Sequence, residues 1–278
     1  MKRLPIIIAC LLAALTGCSR QESPVATHLT VQGWIENGGH PMVMVAETIP
    51  MDGEARISQA AMMEHIAKWA KVSVSDGENT VILTGNADTD YFPPYVFTTA
   101  RMTGEVGKTY TLTVEYKDYK ARAVTTIPEP VPVERISLIH MSDSLFTLQV
   151  GFIDPPEKGN YYKVFTRTTG IDTHYHPSAL AQFSDEVLDG YSEFRLFSVQ
   201  RLLDLIDRPN YKLGEEVWIK MCSTDEATYN YWNNFELMLA TNFNATFWLD
   251  PDMQSNMEGA LGYWAGYGVE QEYNVILR

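Results

Sequence analysis

Apolar and polar residues alternate in short, evenly spaced segments of the N-terminal half of the chain. The alternation is clearest over residues 29–35 and 110–116, and shorter segments lie at 71–75 and 80–84. A period of two buries one face of a β-strand and leaves the other face polar. The turn sequence Asp76-Gly77 joins two of these segments into a predicted hairpin. Strands of this length and spacing predict a β-sandwich of the immunoglobulin or fibronectin type III kind.

Two segments interrupt this pattern. Residues 52–70 predict a short helix between sheets, because apolar residues recur there near helical spacing, at Ile57, Ala61, Ile66 and Trp69. Residues 127–133 are proline-rich and predict a stiff link. We therefore predict an N-terminal β-sandwich over residues 28–128 and a C-terminal β-rich domain over residues 129–278.

The C-terminal domain is also predicted to be a mainly β, sandwich-like module. Its candidate strands are residues 135–140, 145–152, 160–167, 215–222, 261–267 and 273–277. Glycines alternate with aromatic residues after position 258, which favours a strongly twisted or bulged strand. Residues 168–213 are polar and irregular, and they predict an inserted loop region.

One helix is predicted in this domain, over about residues 224–240. Its apolar residues lie at helical spacing, at Ala227, Tyr231, Phe235 and Met238. Ser223 and Glu226 resemble a capping box, in which each side chain bonds the backbone amide of the other residue. The pair therefore predicts where the helix begins.

The first residues predict export and acylation. An apolar segment at 4–15 follows Lys2 and Arg3, and it is shorter than the roughly 20 residues of a membrane span. It ends in Leu-Thr-Gly-Cys18, which resembles the bacterial lipobox, so we predict a lipoprotein signal peptide over 1–17 and lipidation of Cys18. An ordinary signal peptide with an incidental cysteine is the alternative. Residues 18–27 are polar and predict a tether.

Charge and cysteine content restrict the partners. The formal net charge is −14 at pH 7, and loss of the leader removes Lys2 and Arg3 but no acid. Such a surface repels phosphate backbones, so nucleic acid is not expected as a partner. Cys10 lies in the leader and Cys18 is the predicted acylation site, so Cys222 has no partner for an intramolecular disulfide.

Two clusters of side chains are candidates for metal binding. Asp172, His174 and His176 alternate along the chain, and a strand would place them on one face, where imidazoles and a carboxylate suit zinc. A polar loop with solvated histidines is the alternative. A calcium site is the second candidate, with carboxylates at Asp185, Glu186 and Asp189, and a solvated acidic turn competes with it.

Patterns typical of enzymes are missing from the sequence. It contains no Gly-x-Ser-x-Gly elbow and no Gly-x-x-x-x-Gly-Lys phosphate loop. Cys222 lies in an apolar strand segment, where a buried and inert thiol is expected. We therefore predict neither an enzyme nor a cofactor. A metal-dependent hydrolase that uses His174 and His176 is the alternative.

Aromatic residues are the better candidates for ligand binding. Exposed rings stack on sugar faces or contact peptide side chains, whereas buried rings pack in a core. The candidates are Tyr91, Tyr95, Trp232 and Trp264. Packing in a core or on a sheet is the alternative for each of them.

A series of short segments, taken in order, resembles the DUF4249 lipoproteins of Bacteroidetes. The segments are residues 29–35, 72–77, 104–112, 126–128, 152–155, 160–162, 184–190, 214–217, 229–231 and 261–263. The resemblance implies an outer-membrane lipoprotein that is often encoded beside TonB-dependent transporters, with no enzymatic activity attached to it. Asp143-Ser144-Leu145 also resembles the sequence at which these bacteria O-glycosylate exported proteins, so Ser144 is a candidate glycosylation site.

These observations lead to two main hypotheses about function. The first is a non-catalytic accessory lipoprotein of the outer membrane that contacts a TonB-dependent β-barrel, other lipoproteins or an envelope complex. The second is a surface module that binds a glycan or a peptide by itself. Residues 19–22 hold one acid and one base, so the sequence leaves open which leaflet carries the anchor.

Overall fold

The computed structural model describes residues 28–48, 63–91, 93–186, 188, 190–198, 210–241 and 255–278. The predicted leader, the tether and Cys18 lie outside the described residues. The strands within them are β1 (Leu29–Glu36), β2 (Met42–Glu47), β3 (Lys71–Ser75), β4 (Thr80–Ile82), β5 (Thr84–Ala87), β6 (Tyr95–Thr98), β7 (Thr109–Tyr116), β8 (Tyr119–Thr126), β9 (Val133–His140), β10 (Leu145–Ile153), β11 (Tyr161–Thr168), β12 (His176–Ser184), β13 (Tyr191–Ser198), β14 (Tyr211–Lys212), β15 (Glu216–Thr224) and β16 (Leu261–Ile276). One helix, α1, spans Glu226–Thr241. The chain is therefore mainly β, as predicted.

The described strands form one sheet of twelve and one of four. The large sheet has the order β14-β10-β13-β12-β11-β15-β16-β1-β2-β6-β5, with β9 paired to β10, and the small sheet has the order β4-β3-β7-β8. The predicted division into two separate sandwiches is thus not what the strand pairing shows, because the large sheet runs from one half of the chain into the other.

Strand β16 makes this connection. Its first part pairs in parallel with β1, from Thr30 opposite Leu261 to Glu36 opposite Tyr267. Its last part pairs antiparallel with β15, as far as Glu216 opposite Ile276. The sequence predicted two separate strands here, both in the C-terminal domain. The structure has one continuous strand, and its first part lies in the sheet of the N-terminal half.

The first core lies between the small sheet and the part of the large sheet that contains β1 and β2. Alternation along β1 turns Val31 and Ile35 into this core. Trp264 of β16 is fully buried in it, and its indole Nε1 donates a hydrogen bond to the carbonyl of Tyr110 at 3.0 Å. The N-terminal half therefore depends on a side chain from the far end of the sequence.

A second core lies in the C-terminal half. Apolar residues of β10, β11 and β15 form most of it, among them Phe152, Val164 and Ile219. Strands β12 and β13 add Ala181 and Leu196. These two strands lie where the sequence predicted an inserted loop region at 168–213, so that prediction is wrong over residues 176–184 and 191–198.

Glycines allow β16 to pass close to other backbones. A Cβ on Gly262, whose φ is +119°, would lie 1.8 Å from the carbonyl oxygen of Val31. A Cβ on Gly268 would lie 2.2 Å from the carbonyl oxygen of Pro128. No side chain fits at either distance, so the glycines predicted to mark a distorted strand are required by close packing.

Helix α1 begins differently from the predicted capping box. Asp225 is its N-cap, because Oδ1 of Asp225 accepts a hydrogen bond from the amide of Thr228 at 2.8 Å. Ser223 still belongs to β15, and its buried hydroxyl makes no hydrogen bond with the described residues. The helix predicted over about 224–240 is confirmed, and its capping residue is corrected.

The short helix predicted over 52–70 lies largely outside the described residues. Of the four apolar residues that predicted the helix, Ile57 and Ala61 lie outside the described residues. Ile66 is buried and forms a β-bridge with Ala46. Trp69 is 92% exposed. Ile66 and Trp69 therefore do not share the buried face that the spacing predicted.

Candidate ligand-binding cleft

A cleft of about 980 Å³ lies between the two halves of the chain, among the described residues. One wall is the outer face of the part of the large sheet that contains β1 and β2. Because alternate residues of β1 point inward, Gln32 and Trp34 point outward into the cleft, where Met42 and Met44 of β2 join them. The C-terminal half covers this face, which would be exposed on an isolated sandwich.

The floor of the cleft is a cluster of aromatic rings. Helix α1 supplies Tyr231 and Trp232, and β16 supplies Tyr263 and Tyr267. The ring centroids of Tyr231 and Tyr263 are 4.4 Å apart, and those of Trp232 and Tyr263 are 5.4 Å apart. Phe165 of β11 meets the rings of Trp232 and Tyr267 edge to face. This packing fixes the rings in one arrangement.

The three tyrosines of the floor differ in their hydrogen bonding. The hydroxyl of Tyr267 accepts a hydrogen bond from Nε1 of Trp232 at 3.0 Å. The hydroxyls of Tyr231 and Tyr263 make none with the described residues, although both side chains are buried. Burial raises the pKa of both phenols above the ordinary value. They therefore stay protonated and keep a hydrogen to donate.

A row of neighbouring rings forms the rim of the cleft. Tyr91 stacks on His174 at 4.6 Å, and His174 lies 4.4 Å from His176. Trp34 continues the row at 6.1 Å from Tyr91. Burial lowers the pKa of both histidines, and for His174 the neighbouring His176 adds to the effect. The imidazoles are therefore neutral at pH 7.

Asp172 fixes the loop that carries these histidines. Its Oδ2 accepts a hydrogen bond from the amide of Thr168 at 2.6 Å, and its Oδ1 lies 3.9 Å from Nε2 of His176. His176 thus lies near both Asp172 and His174, but only His176 belongs to a strand, whereas the sequence prediction placed all three on one face of a strand. No group of three or more His, Cys, Asp or Glu side chains within the described ranges is arranged to hold a metal ion.

Charged groups line the middle of the cleft. Nζ of Lys220 lies 2.7 Å from Oε2 of Glu36, so this ion pair links β15 to the end of β1. Burial acts to lower the pKa of Lys220, but Glu36 and the more distant Glu272 outweigh it and raise the pKa. Arg167 lies over the ring of Tyr175 at 5.5 Å. Both cations are therefore engaged by side chains of the protein.

A buried lysine holds α1 against the cleft. Lys163 and Phe165 of β11 pair with Gln182 and Pro177 of β12, so the four residues 178–181 of β12 form a large bulge opposite Val164. Nζ of Lys163 donates to the carbonyl of Ser178 at 2.9 Å and to Oε1 of Glu236 at 3.1 Å. The carboxylate of Glu236 in turn accepts from the amide of Leu180 at 2.9 Å. The ion pair thus satisfies backbone groups that the bulge leaves without a strand partner.

The second candidate metal cluster has a structural role. Oδ2 of Asp185 accepts hydrogen bonds from the amides of Gly159 and Asn160, the latter at 3.0 Å. The carboxylate therefore braces the turn before β11. Glu186 is exposed, and Asp189 lies outside the described residues. The two amide contacts of Oδ2 favour the turn over the calcium candidate, which stays untested.

The sequence matches one family model, described as "Domain of unknown function (DUF4249)", over residues 20–272. The chain belongs to the DUF4249 family. This confirms the family resemblance, while the acylation and the bacterial phylum that came with it remain predictions. No curated protein matches this DUF4249 sequence.

Solved structures resemble this DUF4249 chain only distantly. The FN1–FN3 domains of chicken CNTN1 match at 13% identity and a TM-score of 0.25, covering 89% of this chain and 66% of that chain. A cytokine receptor complex matches at 9% and 0.26, covering 88% and 95%. A two-domain fibronectin type III segment of chicken tenascin matches at 11% and 0.21, covering 70% and 88%.

The aromatic candidates divide into two groups in the DUF4249 structure. Tyr91 and Trp232 line the cleft. Trp264 is fully buried in the first core, and Tyr95 packs against that core with its ring 5.4 Å from Phe97. For Tyr95 and Trp264 these positions favour the alternative of packing in a core.

Two other sequence predictions concern the surface. Ser144 is exposed in the turn between β9 and β10, as expected for a modified residue, and its glycosylation stays a prediction. In the described part of the chain, no helix combines the length and apolarity needed to cross a membrane.

Sequence reasoning missed several residues of the cleft, among them Trp34, Phe165 and Tyr263. Trp34 carried a signal, because it is a large aromatic residue at a polar position of an alternating strand. Phe165 and Tyr263 carried none, because each lies in a strand segment that contains several other aromatic residues.

Proposed function

We propose that this protein is an exported, lipid-anchored binding protein that holds a ligand in the aromatic cleft and does not transform it. The observation that carries the proposal is the cleft itself. Its volume lies within the range of ligand sites, and its lining combines many apolar rings with a few polar groups.

The lipid anchor is supported by the sequence. The lipobox-like Cys18 follows an apolar leader, and a polar tether connects it to His28, where the described structure begins. Acyl chains provide durable attachment, since each buried methylene contributes about 0.8 kcal/mol. Mass spectrometry of the isolated protein is expected to show an acylated Cys18 as the first residue. An unmodified thiol at this position would remove the anchor from the proposal.

The finer organisation into two sandwich-like units is part of the same proposal. It is supported by two separate apolar cores, one in each half of the chain. In this arrangement the ligand lies between the units, on the outer face of the first. Outer-membrane location and association with a TonB-dependent transporter, which the resemblance implies, remain predictions. Copurification with a β-barrel transporter would support that association, and a strictly monomeric lipoprotein in native detergent extracts would count against it.

Binding in the cleft can be tested with a panel of soluble oligosaccharides and short peptides. We expect at least one compound to change the tryptophan fluorescence, because Trp34 and Trp232 line the cleft. Tyr91→Ala removes a ring from the rim and is expected to weaken binding. Tyr191→Ala is the matched control, since Tyr191 is an exposed tyrosine on β13 and does not line the cleft.

Two results would contradict the proposed function. One is a flat titration across the whole panel. The other is equal weakening of binding by both tyrosine substitutions, which would show that the cleft is not the binding site.

A further inference from the structure

The floor of the cleft offers two unused hydrogen-bond donors. The side chains of Tyr231 and Tyr263 are 1% and 6% exposed, yet their hydroxyls make no hydrogen bond with any described residue. Neither hydroxyl is among the fully enclosed side-chain atoms that lack a partner, which agrees with their position on the surface of the cleft. Both residues line the cleft, so a ligand atom can complete these hydrogen bonds.

Aromatic rings surround these two hydroxyls. Trp232 and Tyr267 flank them, and Phe235 continues the apolar surface along α1. The face of an aromatic ring carries partial negative charge, and it attracts the polarised C–H groups on the flat side of a sugar ring. Hydroxyl donors within an apolar, ring-lined floor therefore suit a ligand that alternates C–H faces with oxygen acceptors.

The charges of the cleft disfavour an anionic ligand. The lining contains carboxylates at Glu36, Asp90, Asp172 and Glu272. Its cations are Lys220, which pairs with Glu36 at 2.7 Å, and Arg167, which lies over aromatic rings. Anionic ligands would meet uncompensated negative charge.

Strand pairing argues against an extended peptide. Peptides commonly bind by adding a strand to an open sheet edge. Of the strands that line the cleft, β1, β2, β6, β11, β12 and β15 each have two neighbouring strands. Strand β16 pairs with β1 over its first part and with β15 over its last part. Recognition in the cleft therefore depends on side chains.

We propose that the ligand of the cleft is a neutral oligosaccharide, with the hydroxyls of Tyr231 and Tyr263 donating hydrogen bonds to its oxygen atoms. The proposal rests on the proposed function, because it assumes that the cleft is a binding site. It adds the chemical class of the ligand and the two residues that recognise its polar atoms.

Calorimetric titration of the full-length protein tests this proposal. The probes are linear neutral oligosaccharides of glucose, mannose or xylose, with oligogalacturonides as the anionic comparison and aromatic-rich peptides as the peptide comparison. We expect a neutral oligosaccharide to bind. Tyr231→Phe and Tyr263→Phe each remove one hydroxyl and are expected to weaken that binding about two- to twelve-fold, the range for one neutral hydrogen bond.

Tyr110→Phe is the matched control. The Tyr110 hydroxyl accepts a hydrogen bond from the amide of Glu105 at 2.9 Å in the first half of the chain, away from the cleft. Its removal is expected to leave binding unchanged. Thermal melting of each variant separates a loss of binding from a loss of folding.

The possible results separate an error in the proposed ligand class from an error in the proposed function. Binding of only oligogalacturonides or only peptides overturns the neutral oligosaccharide and leaves the cleft as a binding site. Unchanged affinity of Tyr231→Phe and Tyr263→Phe for a neutral oligosaccharide overturns the assigned recognition residues. The absence of binding by every probe overturns both the ligand class and the proposed function.

Discussion

Replacing Lys163 with methionine tests the buried ion pair beside the cleft. The Lys163 side chain is fully buried, and Glu236 is 11% exposed. The substitution keeps the apolar stem but leaves the Glu236 carboxylate without its cation and the Ser178 carbonyl without its donor. Removing one partner of a buried pair costs about 3–5 kcal/mol. For a chain of this size, that loss corresponds to a fall in Tm of about 6–20 °C.

A double-mutant cycle separates the ion pair from simple packing. Glu236→Gln leaves Lys163 charged and is expected to destabilise the protein by a similar amount. The double variant removes both charges, while the glutamine oxygen can still accept from the amide of Leu180. We therefore expect it to lose no more stability than either single variant. The assay is thermal and urea unfolding at pH 7, followed by circular dichroism.

The control is Lys71→Met, which breaks an exposed pair with Glu115 at 3.5 Å. It is expected to lower Tm by about 4 °C at most, because exposed pairs contribute little. Strictly additive losses in the double variant, or a Lys163→Met protein as stable as the wild type, would refute the reasoning.

Four further predictions concern stability and reactivity. Burial lowers the pKa of Lys163 to about 8, whereas a lysine in the unfolded chain titrates near about 10.4. Between these two pH values the unfolded state binds more protons than the folded state, so the stability of the wild type rises with pH. Thermal melts of the wild type and of Lys163→Met across this pH window should therefore show the wild type gaining stability relative to the variant. Asp225→Ala removes the helix cap and should cost about 1 kcal/mol in urea unfolding, whereas Ser223→Ala should be neutral. Native Cys222 should resist iodoacetamide and react only in urea, because burial raises the pKa of its thiol. Gly262→Ala should abolish a cooperative melt, since its Cβ would overlap the Val31 carbonyl.

The strands with one clean buried face were predictable from sequence. Residues 29–35 and 110–116 alternate strictly enough that one register buries every aliphatic side chain, and the structure has β1 and β7 there. The alternation is a local property, so a single segment is enough to reveal it.

Strands β12 and β13 could not be predicted in this way. The bulge in β12 places Leu180 at a φ of +53° with its side chain exposed, which breaks the alternation. The groups that support this bulge, Lys163 and Glu236, come from distant elements. The one local signal was a lysine inside the apolar segment of β11.

The cleft was only partly predictable, because its residues come from both halves of the chain. Tyr91 and Trp232 were identified from their aromatic character, but Trp264 had the same character and is buried in the first core. Which side of β16 faces the cleft depends on its pairing with β1, a parallel contact between distant residues. The residues of β16 by themselves do not predict this pairing.

In the proposed exported protein, the course of β16 also sets an order of events as the chain emerges from the membrane. Strands β1 and β2 emerge early, but the edge of β1 that pairs with Leu261–Tyr267 has no neighbour until those residues have emerged as well. Until then the N-terminal half exposes an unpaired strand edge, the kind of surface that recruits foreign strands. A truncation before residue 261 would therefore damage the beginning of the protein, and a chaperone that shields β1 would be needed until the last strand arrives.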